Sequence, residues 1–236
     1  MKTIGMIGGV STEATAIYYK TINAKVRERL GGYHSADMRI HSVNFHLYNG
    51  AHETRDWPFI RNGFDQAAKG LAGSGADFLI LACNTLHTVA DAIEGATDLP
   101  FLHIVDACGA RLQADGRARP GLLGTAYTMS QPYFVDRLTE KTGMVPTLPD
   151  APTQAELSRI IFDELTHGIV RDESVAYYQA AIQGLKDQGC DSIILGCTEL
   201  GMLITAENSP LPPYDTALIH CDAIVERALS DEMATA

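Results

Sequence analysis

Short apolar runs alternate with longer stretches of helical periodicity along this chain. The runs fall at residues 3–7, 38–43, 78–82, 101–104, 121–123, 145–148 and 192–195. Between them, Tyr18, Ile22, Val26 and Leu30 recur at every fourth position behind Ser11, a good N-cap, which predicts an amphipathic helix after the first strand. Val175, Tyr178, Ile182 and Leu185 predict another before the last run, and residues 216–229 a terminal helix. Strands alternating with helices predict an α/β fold built from parallel βα units.

The pattern is also written twice. Residues 67–83, ending in Cys83, lie without gaps over residues 181–197, ending in Cys197. Gly70 falls on Gly184, Leu71 on Leu185, Gly75 on Gly189, Asp77 on Asp191, Ile80 on Ile194 and Leu81 on Leu195, each pair separated by the same 114 positions as the two cysteines. Near the first strand, Gly5 and Gly8 have counterparts in Gly121 and Gly124. A repeat this long is a domain duplication rather than a solenoid unit. It predicts one lobe of residues 1–115 with 206–236 and another of 116–205, with the Pro-rich stretch 209–213 carrying the chain back. Lobes related by a pseudo-two-fold axis would bring Cys83 and Cys197 to one cleft from opposite sides. That geometry suits removal of a proton from one face of a carbon and its return to the other.

Composition narrows the function. The 236 residues are 46% hydrophobic, enough for a sizeable core, and the net charge is −11 with no basic run longer than two residues. The electrostatic footprint of a nucleic-acid binder is missing, so small molecules and other subunits are the expected partners, with a homodimer as the default assembly. No stretch has the length of a membrane span, and the glycine-rich start does not read as a signal peptide. Five cysteines form an odd set without close pairs, which predicts reduced thiols and a cytoplasmic protein.

Cys83 and Cys197 each follow a buried-strand pattern and precede an expected helix. In open α/β sheets ligands bind at the carboxyl ends of strands, and a thiol at a helix N-terminus is more acidic than a free one. Cys108, Cys190 and Cys221 have no repeated context and read as small core residues. Asn84 and Thr85 after one thiol, and Thr198 and Glu199 after the other, are candidates for holding a carboxylate. They are equally suited to capping. Backbone N–H groups at Gly8–Gly9 and Gly124–Thr125 are further candidates, but neither segment fits a nucleotide-binding glycine motif. Thr128 to Gln131 fits a capping box. His87, four residues after Cys83, raises metal binding as an alternative, although Cys-x3-His alone is a poor zinc pattern and no metal is expected.

Taken together, residues 4–9 with Ser11 and Tyr18-Tyr19, His41 to Phe45, Ala82-Cys-Asn-Thr85, Phe101-Leu-His-Ile104, residues 121–125, Leu195-Gly-Cys-Thr-Glu199 and Asp215 to His220 resemble the aspartate/glutamate racemase superfamily, which works without pyridoxal phosphate. The resemblance runs through almost the entire chain. It implies two flavodoxin-like lobes with an amino acid between them, Cys83 and Cys197 as acid and base on opposite faces of Cα, and no cofactor. It also implies a substrate carboxylate held among Gly9, Ser11, Asn84, Thr85, Thr125, Thr198 and Glu199. Relatives acting on aspartate clamp the side-chain carboxylate with an arginine in the first lobe and a lysine in the second. Here Asn44 stands where many relatives have Asp, the first lobe offers His52 and Arg55, and between residues 151 and 171 there is His167 but no lysine.

The leading expectation is therefore an amino-acid racemase for aspartate or glutamate. A broad-specificity racemase and a maleate- or hydantoin-type isomerase use the same thiol pair, and a two-lobed binding module shares the architecture without the chemistry. A thiol redox protein is disfavoured by the lack of a Cys-x-x-Cys pair.

Overall fold

The computed structural model describes residues 1–233 and forms two compact units, one of residues 1–104 with the chain from His220 onward, the other of residues 105–219. In the first unit β1 (Ile4–Gly8) leads into α1 (Thr12–Leu30), whose Tyr18, Ile22 and Val26 are fully buried. Burying each such side chain contributes about 1.5–3 kcal/mol, so the predicted stripe is the packing face. Ser11 caps α1, accepting from the Ala14 N–H at 3.3 Å, and Gly31 ends it with φ 75°. The unit continues through β2 (Met38–Ser42), α2 (Phe45–Glu53), α3 (Trp57–Gly73), β3 (Phe78–Leu81) and α4 (Ala90–Glu94). The strands form a parallel sheet in the order β2-β1-β3, extended by a parallel bridge from Leu79 to Phe101.

The second unit begins with α5 (Ile104–Ala114), apart from its first residue, and continues through β4 (Pro120–Leu123), α6 (Ala126–Ser130), α7 (Pro132–Thr142), α8 (Ala151–Asp163), α9 (Asp172–Asp187), β5 (Ser192–Leu195) and β6 (Pro213–Asp215). Its parallel sheet runs β4-β5-β6, with a bridge from Gly121 to Thr147 on the other side. The last helix, α10 (Thr216–Met233), starts here and belongs to the first unit from His220.

The duplication is visible in backbone detail. Gly75 and Gly189 adopt φ 87° and 90°, a region L side chains avoid, and the next N–H, of Ala76 or Cys190, returns to the carbonyl of Leu71 or Leu185. The repeated aspartates close the sheets: Asp77 Oδ2 accepts the Thr3 N–H, and Asp191 Oδ2 accepts the Arg119 N–H at 3.1 Å. Their repetition is structural.

Three expectations change. The runs at 101–104 and 145–148 are single bridges rather than strands: helix α5 begins at Ile104, and Pro120 and Pro149 lack the N–H groups that would extend the pairing on either side of Thr147. The Pro-rich connector instead ends in strand β6, its Pro213 paired with Ile193. Finally, the units divide at 104/105 and 219/220, not at 115/116 and 205/206. Residues 105–115 join the second unit through the Arg137–Asp106 pair, with bonds of 2.7 Å, and residues 206–219 join it through β6.

Candidate active site

Both cysteines stand just beyond the carboxyl ends of equivalent strands, Cys83 after β3 and Cys197 after β5. Each leads into a 3-10 segment, Thr85–Val89 or Thr198–Met202, where helices were expected. Such short turns have few aligned peptide dipoles, so activation of the thiols by a helix N-terminus loses its basis.

In the first unit Cys83 is 9% exposed, and Asn84 and His87 are buried beside it. Asn84 makes no capping bond with its side chain; its carbonyl accepts the His87 N–H at 3.0 Å. His87 Nδ1 lies 2.6 Å from the Cys83 carbonyl oxygen, and its Nε2 is 3.4 Å from the Ile104 N–H. A carbonyl only accepts and an N–H only donates, so Nδ1 carries the proton, Nε2 accepts, and the ring is neutral. The Cys83/His87 spacing thus serves a backbone bond, and among the described residues no group of three or more His, Cys, Asp or Glu is placed to hold a metal. His103 lies against His87, ring centroids 4.4 Å apart. His220, held between the Tyr18 hydroxyl and the Leu102 carbonyl at 2.9 Å each, is pushed down to about 4 by burial. Of this buried imidazole group the sequence reading singled out His87 alone, as a candidate metal ligand, although His103 and His220 lie inside the motifs that carried the resemblance.

The glycine turn is less available than expected. Gly9, with φ 87°, presses against Val43, where a Cβ would clash, and its N–H donates to Thr15 Oγ1 at 2.7 Å rather than pointing at a ligand. Ser11 Oγ accepts from Ala14 and keeps its own proton to donate. His52 is held edge-on to Trp57, and burial pushes it below its ordinary value, so at neutral pH it is a poor cation. Arg55 is exposed in the link between α2 and α3 with φ 59°, a conformation that costs a non-glycine residue about 1–2 kcal/mol. The other histidines near β2, His34, His41 and His46, are exposed.

In the second unit Cys197 is half-buried and its thiol donates to Glu199 Oε2 at 3.0 Å. Thr198 Oγ1 donates to the same oxygen at 2.6 Å. The hydroxyl proton expected for a substrate carboxylate is therefore committed to Glu199, and Glu199 itself would repel such a carboxylate. Thr125 Oγ1 caps α6, accepting from the Thr128 N–H at 3.1 Å. The capping box is thus displaced: Thr125 is the cap, and Thr128 sits inside the helix, fully buried, with its hydroxyl 3.2 Å from those of Thr125 and Tyr133. Next to the Cys197 turn, Asp215 Oδ1 accepts the N–H groups of Ala217 and Leu218, while burial outweighs these bonds and raises its pKa. Cys108 is pushed up to about 12 by burial, then by the charge of Asp215, which fits the inert role expected of it. His167 is exposed in a turn, and Arg159 and Arg171 near it are engaged by Glu156, Asp163 and Glu164.

Comparison with known proteins agrees with the layout. The family described as Asp/Glu/hydantoin racemase matches residues 7–224. The broad specificity amino-acid racemase RacX of Bacillus subtilis (strain 168) is 24% identical over 220 residues, 91% of this chain and 92% of its own. A crystal structure from Yersinia pestis, of a candidate Asp/Glu racemase, superposes with TM-score 0.93 at 41% identity, covering 97% of this chain and 100% of that one. A crystal structure of an aspartate racemase homologue from Pyrococcus horikoshii OT3 superposes with TM-score 0.87 at 32% identity, covering 97% and 99%.

Proposed function

The chain belongs to the Asp/Glu/hydantoin racemase family and is a racemase, hence an isomerase; on that premise we propose that it racemises an acidic amino acid, aspartate or glutamate, without a cofactor, using Cys83 and Cys197 as its two proton carriers. The observation that carries the reading is the placement of one cysteine per unit at the same repeat position, just past the carboxyl end of equivalent strands.

Racemisation by two groups requires each thiol to reach one face of the same Cα. The thiolate on one side forms an S–H bond as the Cα–H bond breaks, leaving the electron pair on Cα and the adjoining carboxylate. The thiol on the other side then gives its proton to Cα and is left as the thiolate. Atoms and charge balance, and the two sulfurs have exchanged roles. Glu199 gives Cys197 a defined starting state, because a thiol that donates to a carboxylate keeps its proton. Cys197 begins as the acid, and in the reverse direction Glu199 is the group placed to accept that proton.

Arg55 is our choice for the partner of the side-chain carboxylate. It is an exposed cation in a strained backbone conformation, and strain of this kind persists where function holds it. His52 is neutral and His167 is a weaker alternative. A broad-specificity racemase is the second reading, supported by the lack of a lysine between residues 151 and 171 and by the pairing of the arginines there with carboxylates.

Purified protein is to be incubated with each enantiomer of a full amino-acid panel, and the opposite enantiomer followed by chiral chromatography. Turnover concentrated on aspartate or glutamate supports the first reading. Comparable turnover of neutral and basic amino acids supports the second, and no inversion of any amino acid refutes both.

A further inference from the structure

Four residues after Cys83 stands His87; at the repeat position four residues after Cys197 stands Gly201. The neighbouring strand ends correspond too. Phe101 bridges to Leu79 where Pro213 pairs with Ile193, and Leu79 and Ile193 are repeat partners, so His103 matches Asp215. The same two places in the duplicated scaffold therefore hold two imidazoles in one unit, and a glycine with a carboxylate in the other. In the second unit Asp215 Oδ2 comes within 2.5 Å of where a Cβ on Gly201 would stand, so a side chain at that place would have to displace the carboxylate.

The difference reaches the backbone of the cysteines. The Cys197 carbonyl accepts the Leu200 N–H at 3.2 Å, a bond the turn makes within itself. The Cys83 carbonyl instead accepts from the side chain of His87 at 2.6 Å. That ring is held on its other edge by the Ile104 N–H, packs against the His103 ring at an interplanar angle of 63°, and is 2% exposed. A short bond from a clamped ring fixes the peptide after Cys83, and with it the direction in which the thiol leaves the backbone.

We propose that His87 is a positioning residue for Cys83, holding the thiol in its productive orientation through the Cys83 carbonyl, with His103 as its buttress. The consequence for turnover rests on the reading of Cys83 as a proton carrier; the hold on the thiol does not.

The test compares wild type with His87→Leu, which fills the space without a donor, and His87→Asn, whose amide nitrogen takes the place of Nδ1. Iodoacetamide labelling resolved by peptide mass spectrometry reads the thiols directly. Release of the carbonyl exposes a side chain now 9% exposed, so His87→Leu is expected to label at Cys83 about fivefold faster or more, Cys197 staying within about twofold. His87→Asn is expected to restore the slow labelling. For the amino acid that wild type turns over fastest, His87→Leu is expected to lower kcat about tenfold with KM changed less than about threefold, and His87→Asn to recover most of it. Because enantiomers have equal free energies, kcat/KM must change equally in both directions. Deuterium at Cα distinguishes the steps: the isotope effect should rise from the enantiomer whose proton Cys83 removes and fall from the other, which general loosening of the fold does not produce.

Unchanged Cys83 labelling in His87→Leu, or equal changes in His87→Leu and His87→Asn, overturns the proposal. If His87→Leu does not fold, His87→Gln replaces it, since its amide reaches the Nε2 place and not the Nδ1 place. Absence of racemisation in wild type would refute the functional reading while the labelling still decides the role of His87.

Discussion

Behind Cys83 stand buried imidazoles; beside Cys197 stands a carboxylate. The two units share the left-handed glycine before the strand that leads to the cysteine and the aspartate that follows it, so the backbone that delivers each thiol is the same. The charge around the thiols is not. The Cys197 proton is directed at Glu199, with Asp215 near its turn, whereas the Cys83 peptide is held by an uncharged histidine inside a buried cluster. The proposed two-thiol reaction needs such unequal protonation, because two thiols or two thiolates cannot begin it.

The largest break in that comparison is removal of a thiol. Cys83→Ala and Cys197→Ala are each expected to lower racemisation by about 10²–10⁴-fold with an unchanged far-UV circular dichroism spectrum, since general acid–base groups contribute that much. Normal two-way turnover in either variant contradicts the assignment. Glu199→Gln removes the asymmetry and keeps the thiol; a drop in kcat of about 10²-fold is expected, with the acid limb of the pH–rate profile displaced, because the amide cannot accept the Cys197 proton as a carboxylate does. A profile of unchanged shape would remove Glu199 from the proton path.

Arg55→Ala leaves both thiols alone and is expected to raise KM for aspartate or glutamate about tenfold, or about 1.4 kcal/mol, with neutral amino acids hardly affected. If Arg55→Ala, His52→Ala and His167→Ala all leave those kinetics unchanged, the proposed clamp is wrong and broad specificity is the better description. The smallest effect concerns stability. Burial holds His220 near 4 in the folded chain against about 6.5 when unfolded, so between these values only the unfolded chain takes up the proton. Its contribution is complete above about pH 6.5 and is lost as pH falls towards 4, so thermal unfolding of the wild type should drop across that window more steeply than in His220→Gln.

The parts of the fold that were legible in the sequence are those where one physical demand fixes one residue type. Gly75 and Gly189 are needed for positive φ, Tyr18, Ile22 and Val26 bury one helix face, and the repeat aligned both cysteines at strand ends. What escaped depended on contacts across the fold. The match of His103 with Asp215 was hidden because one strand shrinks to a bridge at Phe101 and the other sits in a Pro-rich stretch. Thr198 and Glu199 were read as partners of a ligand, but the bonds they make are to each other and to Cys197. The Thr125 cap was displaced by three residues for a similar reason, since Thr-x-x-Thr leaves either threonine able to serve. No periodicity signals that Arg55 takes φ 59°.

The central claim, that two thiols work on opposite faces of one carbon, is tested most directly by proton NMR in D2O with the wild-type protein and each enantiomer of its preferred amino acid. The account predicts that the inverted product carries deuterium at Cα from the first turnovers, and that neither Cys83→Ala nor Cys197→Ala forms it at an appreciable rate. Inverted product that retains the original proton, or product formed at the wild-type rate by either cysteine variant, would contradict it.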